Sequence, residues 1–294
     1  MVKRFFLFFL TNILVILTIS VVVQVLGVNQ YLTATGLDYG MLLTFCLIYG
    51  FVGSGVSLLL SKFMAKTFMR VQIVDERGPH ADLVRRVHQL SRAAGLAQMP
   101  EVGVYDSPEV NAFATGPSRN NSLVAVSSGL LSQMNADEVE GVLAHEVAHI
   151  ANGDMVTMAL IQGVVNAFVM FLARIASFAL AQAMRGDRDS DRPVIPSYLV
   201  TFLFEMLFGF LALFIVSWFS RQREFRADAG SARVAGKSKM IAALRRLQQK
   251  QSSLADASSS VQAMKISSKK GIFAFLSTHP SLEDRIAALE RSPL

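Results

Sequence analysis

His145-Glu146-Val147-Ala148-His149 sets two imidazoles and a carboxylate in one short stretch. Residues four apart share a face of a helix, so both imidazoles can reach one Zn2+ at about 2.0–2.1 Å. Glu146 adjoins the first of them, where a carboxylate can accept a proton from an attacking water. The chemistry that this set suits is metal-assisted hydrolysis. A helix with two incidental histidines has the same spacing, so the reading turns on a third ligand.

Arg223-Glu224-Phe225-Arg226-Ala227-Asp228 offers one. Glu224 and Asp228 are again four apart. Glu224 can bind a metal, while Asp228 can accept the N–H of a ligand imidazole and fix its tautomer. A solvated, charged helix beside a membrane would read the same way, with Arg221, Arg223 and Arg226 as ordinary flanking cations. His80 and His88 have no partner at metal spacing and read as surface or helix-face residues.

The elements that must position these groups are legible around them. Asn135 opens a helix, and Glu138 stands three residues on as its capping-box partner. This helix runs through His145 and His149 to Asn152-Gly153. Upstream, 78–98 reads as a helix, with Pro79 in its first turn and Leu83, Val87 and Leu90 at helical spacing. Val102–Tyr105 reads as a short strand. Val110–Thr115 and Ser122–Ser127 flank a Gly/Pro/Asn turn and read as a β-hairpin. A helix near 238–250, a serine-rich linker near 251–270 and a last helix from Ser281 follow.

Four apolar runs frame this polar part: Phe5–Leu26, Met41–Leu60, Met155–Met184 and Ser197–Phe219. A span of about 20 helical residues crosses a hydrocarbon core of about 30 Å. The first run is longer than a signal-peptide core of about 7–15 residues, and no small-x-small site follows it. It reads as a retained anchor. The third run carries Arg174 and the fourth Glu205. Counted from the outer ends of their helices, both sit roughly 12–15 Å deep. Ionised groups at that depth are costly and usually paired or functional, so the two are expected to pair; the alternative is that each snorkels or faces a water-filled cavity.

Lys and Arg set the orientation. Lys3 and Arg4 precede the first run, the loop Gly27–Gly40 has neither residue, and Lys62, Lys66 and Arg70 follow the second. With four spans, the segments 1–4, 61–154 and 220–294 are cytoplasmic and hold 24 of the 28 basic residues. The histidine pair and Glu224 can meet only if the crossings between them are even in number. Two spans satisfy this, as does a hairpin that crosses nothing.

Composition agrees. The chain of 294 residues is 52% hydrophobic and only 17% charged, against about 25% charged in soluble domains. Its net charge of +6 follows membrane topology rather than one patch, which argues against nucleic acid. Cys46 is the single cysteine, so an intrachain disulfide is excluded.

The sequence resembles the HtpX family of membrane-bound zinc metalloproteases, heat-shock-linked relatives of the Ste24-type proteases. The likeness covers nearly the whole chain. It rests on the N-terminal hydrophobic hairpin, Asn111-Ala-Phe-Ala-Thr-Gly116, His145-Glu-Val-Ala-His149 with Asn152-Gly-Asp154, Glu224 with Asp228, and Thr278-His-Pro280 followed by Asp284-Arg285. The resemblance implies a mainly α membrane protein. It has four hydrophobic helices and a cytoplasmic α+β gluzincin-like protease domain with a small β-hairpin or sheet. Segments 1–60 and 155–219 would be the hydrophobic hairpins, and 61–154 and 220–294 the two parts of the protease domain.

Carried onto these positions, one Zn2+ would sit on His145, His149 and Glu224. Glu146 would be the base and Asp228 the partner of a ligand imidazole. Asn111, Ala112 and Phe113 resemble an edge strand along which a peptide lies, and His279 and Arg285 resemble residues near the metal that steady an oxyanion. The expected role is proteolytic quality control and stress response at a bacterial inner (plasma) membrane. The partners would be the lipid bilayer and misfolded or damaged membrane proteins, with no nucleic acid. The competing class is a non-catalytic membrane chaperone or scaffold with a structural zinc, for which His279 is the candidate fourth ligand. A base at Glu146 argues against it.

Overall fold

The computed structural model describes residues 17–22, 24–25, 32–33, 36–185, 197–256 and 279–293. The elements begin with two-residue strands β1 (Leu32–Thr33) and β2 (Gly36–Leu37), helix α1 (Tyr39–Phe68) and strand β3 (Gln72–Val74). Helix α2 (Ala81–Ala93) and strands β4 (Glu101–Tyr105), β5 (Ala112–Ser118) and β6 (Asn121–Ser127) follow. Helices α3 (Ser128–Gln133), α4 (Ala136–Asn152), α5 (Asp154–Arg185) and α6 (Ser197–Ala235) come next. The last two are α7 (Lys237–Asp256) and α8 (Leu282–Arg291).

Three helices, α1, α5 and α6, are long and apolar enough to cross a membrane. At about 1.5 Å per residue each exceeds a 30 Å hydrocarbon core. Phe168, Leu172, Phe202, Leu203, Met206, Leu207 and Phe210 are all exposed. So much contiguous apolar surface is untenable in water and suits lipid. The count among the described residues is therefore three rather than the expected four, because most of the Phe5–Leu26 run lies outside them.

The chain divides into two compact units: Met1–Ser57 with Ala159–Val216, and Leu58–Met158 with Ser217–Leu294. In the first, Leu42, Cys46 and Ala167 are fully buried between helices. A Cβ on Gly50 would stand 2.4 Å from the Gly163 carbonyl oxygen, so α1 and α5 meet backbone to backbone, the small-residue contact that packs helices in lipid.

The second unit is built on a four-stranded sheet of order β3-β4-β6-β5. β4 and β6 run parallel, with Val102 opposite Val124. β5 and β6 form the expected antiparallel hairpin, with Phe113 opposite Ala125 and a register shift between Thr115 and Ser118. Pro117 cannot donate to the ladder, which fits that irregularity. β5 lies at an edge of the sheet. Leu83, Val84, Val87 and Leu90 of α2, Val102, Val124 and Val126 of the sheet, and Leu143, Val147 and Ile150 of α4 share one core. α2 begins at Ala81, after His80 as N-cap, so Pro79 precedes the helix instead of lying in its first turn. It stops before Gly95, whose φ is +77°.

Candidate metal centre

α4 is well anchored at both ends. The Asn135 side chain accepts hydrogen bonds from the backbone N–H groups of Asp137 and Glu138, each at 3.0 Å, and Glu138 Oε2 accepts the Asn135 N–H at 2.9 Å. The helix ends at Gly153, whose φ of 71° and ψ of 30° are left-handed. Leu143, Val147 and Ile150 anchor one face in the core with no exposed surface. Helices α6 and α7 close over other parts of α4 through residues too small to hold them off. A Cβ on Gly230 would come within 2.9 Å of the Ala148 Cβ, and one on Gly141 within 2.6 Å of the Lys239 carbonyl oxygen. Ser231 Oγ donates to the Gly141 carbonyl at 3.0 Å.

These packings bring His145, His149 and Glu224 together. The two Nε2 atoms are 3.1 Å apart. His145 Nε2 stands 3.5 Å from Glu224 Oε2, and His149 Nε2 stands 3.5 Å from Oε1. One ligand atom from each of the three residues lies within 4.8 Å of the others. Both remaining ring nitrogens face carboxylates: His145 Nδ1 lies 3.0 Å from Asp228 Oδ1, and His149 Nδ1 lies 2.6 Å from Asp154 Oδ2. An ionised carboxylate only accepts, so the Nδ1 atoms carry protons. The Nε2 atoms are then left facing one another and the third carboxylate.

Two imidazole nitrogens and a carboxylate form a donor set that suits zinc. A buried atom supports the fit. Glu224 Oε2 has no well-aligned hydrogen bond, although His279 Nδ1 stands 3.1 Å away. The electrostatics point the same way. Burial disfavours the charged imidazoles, but Asp228 and Glu224 outweigh it at His145, which is raised. At His149, Asp154 and Glu224 outweigh burial and push it up to about 9. Burial would raise Glu224, yet His145, His149 and His279 hold it well below the usual carboxylate range. A cation that replaces bound protons fits such a cluster.

Arg285 lies beneath this set. It is 7% exposed and donates from Nε to Asp228 Oδ2 at 2.8 Å and from Nη2 to Oδ1 at 2.6 Å. Burial would raise Asp228, but Arg285 and His145 hold it below its ordinary value. Glu146 is partly exposed one residue along from His145. His279 is largely exposed, at 62% of its side chain, and is not among the three residues whose ligand atoms converge. Asn111 immediately precedes β5, and Ala112 and Phe113 open it, none of the three fully buried. His88 faces Glu76 Oε1 and the Pro100 carbonyl, apart from the cluster.

Asp154 has no role that residue spacing assigns, although it closes Asn152-Gly-Asp154. The signal available was Gly153, a residue suited to the left-handed turn that ends α4.

Residues 78–292 match the profile of peptidase family M48. The protease HtpX homolog of Bacillus subtilis is 52% identical over 301 residues, covering 99% of both chains. The protease HtpX homolog of Methylacidiphilum infernorum is 49% identical over 300 residues, covering 100% of both. Among solved structures, S. mikatae Ste24p shares the fold with a TM-score of 0.67. It is 19% identical, over 99% of this chain and 67% of that one. The family implies a metal, and the three apolar helices place the chain in a membrane. With a family match over most of its length and relatives about half identical from end to end, this chain belongs to peptidase family M48 and is a membrane-bound metalloprotease.

Proposed function

We propose that the chain is a zinc endopeptidase that cuts peptide bonds of misfolded or damaged membrane proteins at a bacterial inner membrane, with its active site facing the cytoplasm. The observation that carries the reading is the convergence of His145, His149 and Glu224 within 4.8 Å, beside Glu146 on the same helix as the two histidines.

His145, His149 and Glu224 would hold the zinc. When bound, the ion supplies a Lewis acid that polarises water and the scissile carbonyl. Glu146 takes the proton of the attacking water and returns it to the leaving nitrogen. Asp228 keeps His145 in one tautomer, and Arg285 holds Asp228. A peptide pairs as an extended strand along the outer edge of β5, beside Asn111, Ala112 and Phe113, through main-chain hydrogen bonds that demand little sequence preference. His279, the more exposed of the two C-terminal candidates, steadies the carbonyl oxygen in the transition state.

The orientation follows from basic residues, 24 of 28 of which fall in segments 1–4, 61–154 and 220–294. Segments 1–60 and 155–219 act as membrane hairpins, and 61–154 and 220–294 as the two parts of the protease domain. Two crossings by α5 and α6 return Glu224 to the side of the histidines.

A structural zinc would be closed by a fourth protein ligand. Two histidines and one glutamate are the donor set of a catalytic zinc site, and the base beside them at Glu146 would have no use in a structural one. The test is hydrolysis of unfolded casein by the purified, zinc-loaded protein. We expect cleavage that a chelator abolishes and added zinc restores. Casein left intact under all three conditions would overturn the reading.

A further inference from the structure

We propose that Asp154 is a positioning residue for His149, placed there by the left-handed break at Gly153. The inference rests on the metal reading above and deepens it.

A continuous helix turns about 100° per residue, so residue 154 would stand about 140° around the axis from residue 149. Its side chain would then miss the His149 ring. Instead α4 stops at Asn152. Gly153 turns left-handed, its N–H closing onto the His149 and Ile150 carbonyls, and α5 starts anew at Asp154. This brings Asp154 Oδ2 to 2.6 Å from His149 Nδ1.

Gly153 is constrained by its backbone: a β-carbon disfavours its left-handed φ of 71°. Such a carbon would come 3.0 Å from Arg119 Nε, the end of an exposed side chain that can move aside. Arg119 in turn donates from Nη2 to the Asn152 carbonyl at 3.2 Å, across the same break.

Asp154 is 2% exposed. An acidic residue that served only to complement a helix N-terminus could do so from water. This carboxylate is buried, and among the described residues the arginine beside it, Arg226, comes no closer than 4.0 Å, from Nη2 to Oδ1. The ring of His149 is its close partner. His145 and His149 therefore each have a carboxylate of their own, Asp228 and Asp154. Such partners fix the ring and strengthen it as a ligand.

The test uses the full chain in detergent and two measurements. The first is zinc affinity by competition with a chelator of known strength. Asp154→Ala is expected to weaken zinc binding about 10–100-fold. Asp154→Asn keeps an acceptor oxygen and recovers most of that loss. Asp154→Ser still suits a helix start but is too short to reach the ring, so it behaves as Asp154→Ala while the metal-free protein melts near wild type. The second measurement is the His149 Nδ1 proton resonance in metal-free protein labelled at histidine. It is expected far downfield in wild type and lost to rapid exchange in Asp154→Ala.

Wild-type zinc affinity in Asp154→Ala, full affinity in Asp154→Ser, or an unchanged resonance in Asp154→Ala would each overturn the assignment. Failure of the wild-type protein itself to take up zinc would contradict the metal reading instead. The proton resonance would then decide the Asp154 contact by itself.

Discussion

Arg174 Nη1 lies 3.0 Å from Glu205 Oε1, so opposite charges join α5 to α6 within their apolar lengths. The same Nη1 donates to the Met170 carbonyl at 3.2 Å, and the guanidinium stands 5.5 Å from the centre of the Phe45 ring on α1. One arginine thus ties three apolar helices. A double-mutant cycle with Arg174→Leu and Glu205→Leu, read as thermal stability in detergent and in bilayers, should give a coupling of about 0.5–2 kcal/mol. Strictly additive losses would mean that the two residues do not interact.

Gly141 marks where α4 meets α7. The β-carbon of Gly141→Ala would fall 2.6 Å from the Lys239 carbonyl oxygen, and backbone cannot swing aside as a side chain can. A loss of about 1–3 kcal/mol is expected. Gly55→Ala is the control, since nothing lies within 4 Å of its added carbon. Calorimetry should show a lower melting temperature for the first variant only. Equal melting of the two would contradict the close approach.

Arg285→Leu removes the bidentate partner of a buried carboxylate. Breaking one side of such a pair typically costs about 3–5 kcal/mol, because the remaining charge stays buried. Denaturant melts of the metal-free protein should register that loss. A variant as stable as wild type would show that Asp228 gains little from the guanidinium.

Glu224→Ala removes the carboxylate that faces both Nε2 atoms. Zinc content, measured by atomic absorption after dialysis, should fall well below one per chain. Full stoichiometry would show that another residue, with His279 nearest to hand, completes the donor set.

Local signals made much of this legible. The Asn135 cap, the helix end at Asn152-Gly153, the last helix starting near Ser281 and the four-residue spacings of both motifs act within a turn or two of helix, and the structure places all of them as read. The pairing of Arg174 with Glu205 followed from depth alone, since a hydrocarbon core leaves a charged pair few other partners. Longer-range features escaped. β3 spans three residues, too few for a periodicity, and the parallel pairing of β4 with β6 joins strands separated by β5. The single helix α6 carries both the apolar run and Glu224 with Asp228, where the sequence showed only a change from apolar to charged residues. Asp154 escaped because the left-handed turn at Gly153 takes it off regular helical spacing, so the contact with His149 follows from the turn and not from residue separation.

We propose that Glu146 acts as the base beside a metal held by His145, His149 and Glu224. Wild type and Glu146→Gln are to be compared for zinc per chain and for the rate of casein hydrolysis. Glutamine cannot take the proton, and Glu146 is not among the three residues whose ligand atoms converge, so both proteins should carry one zinc, while the variant should be slower by about 100-fold or more. Equal zinc with comparable rates would contradict the account.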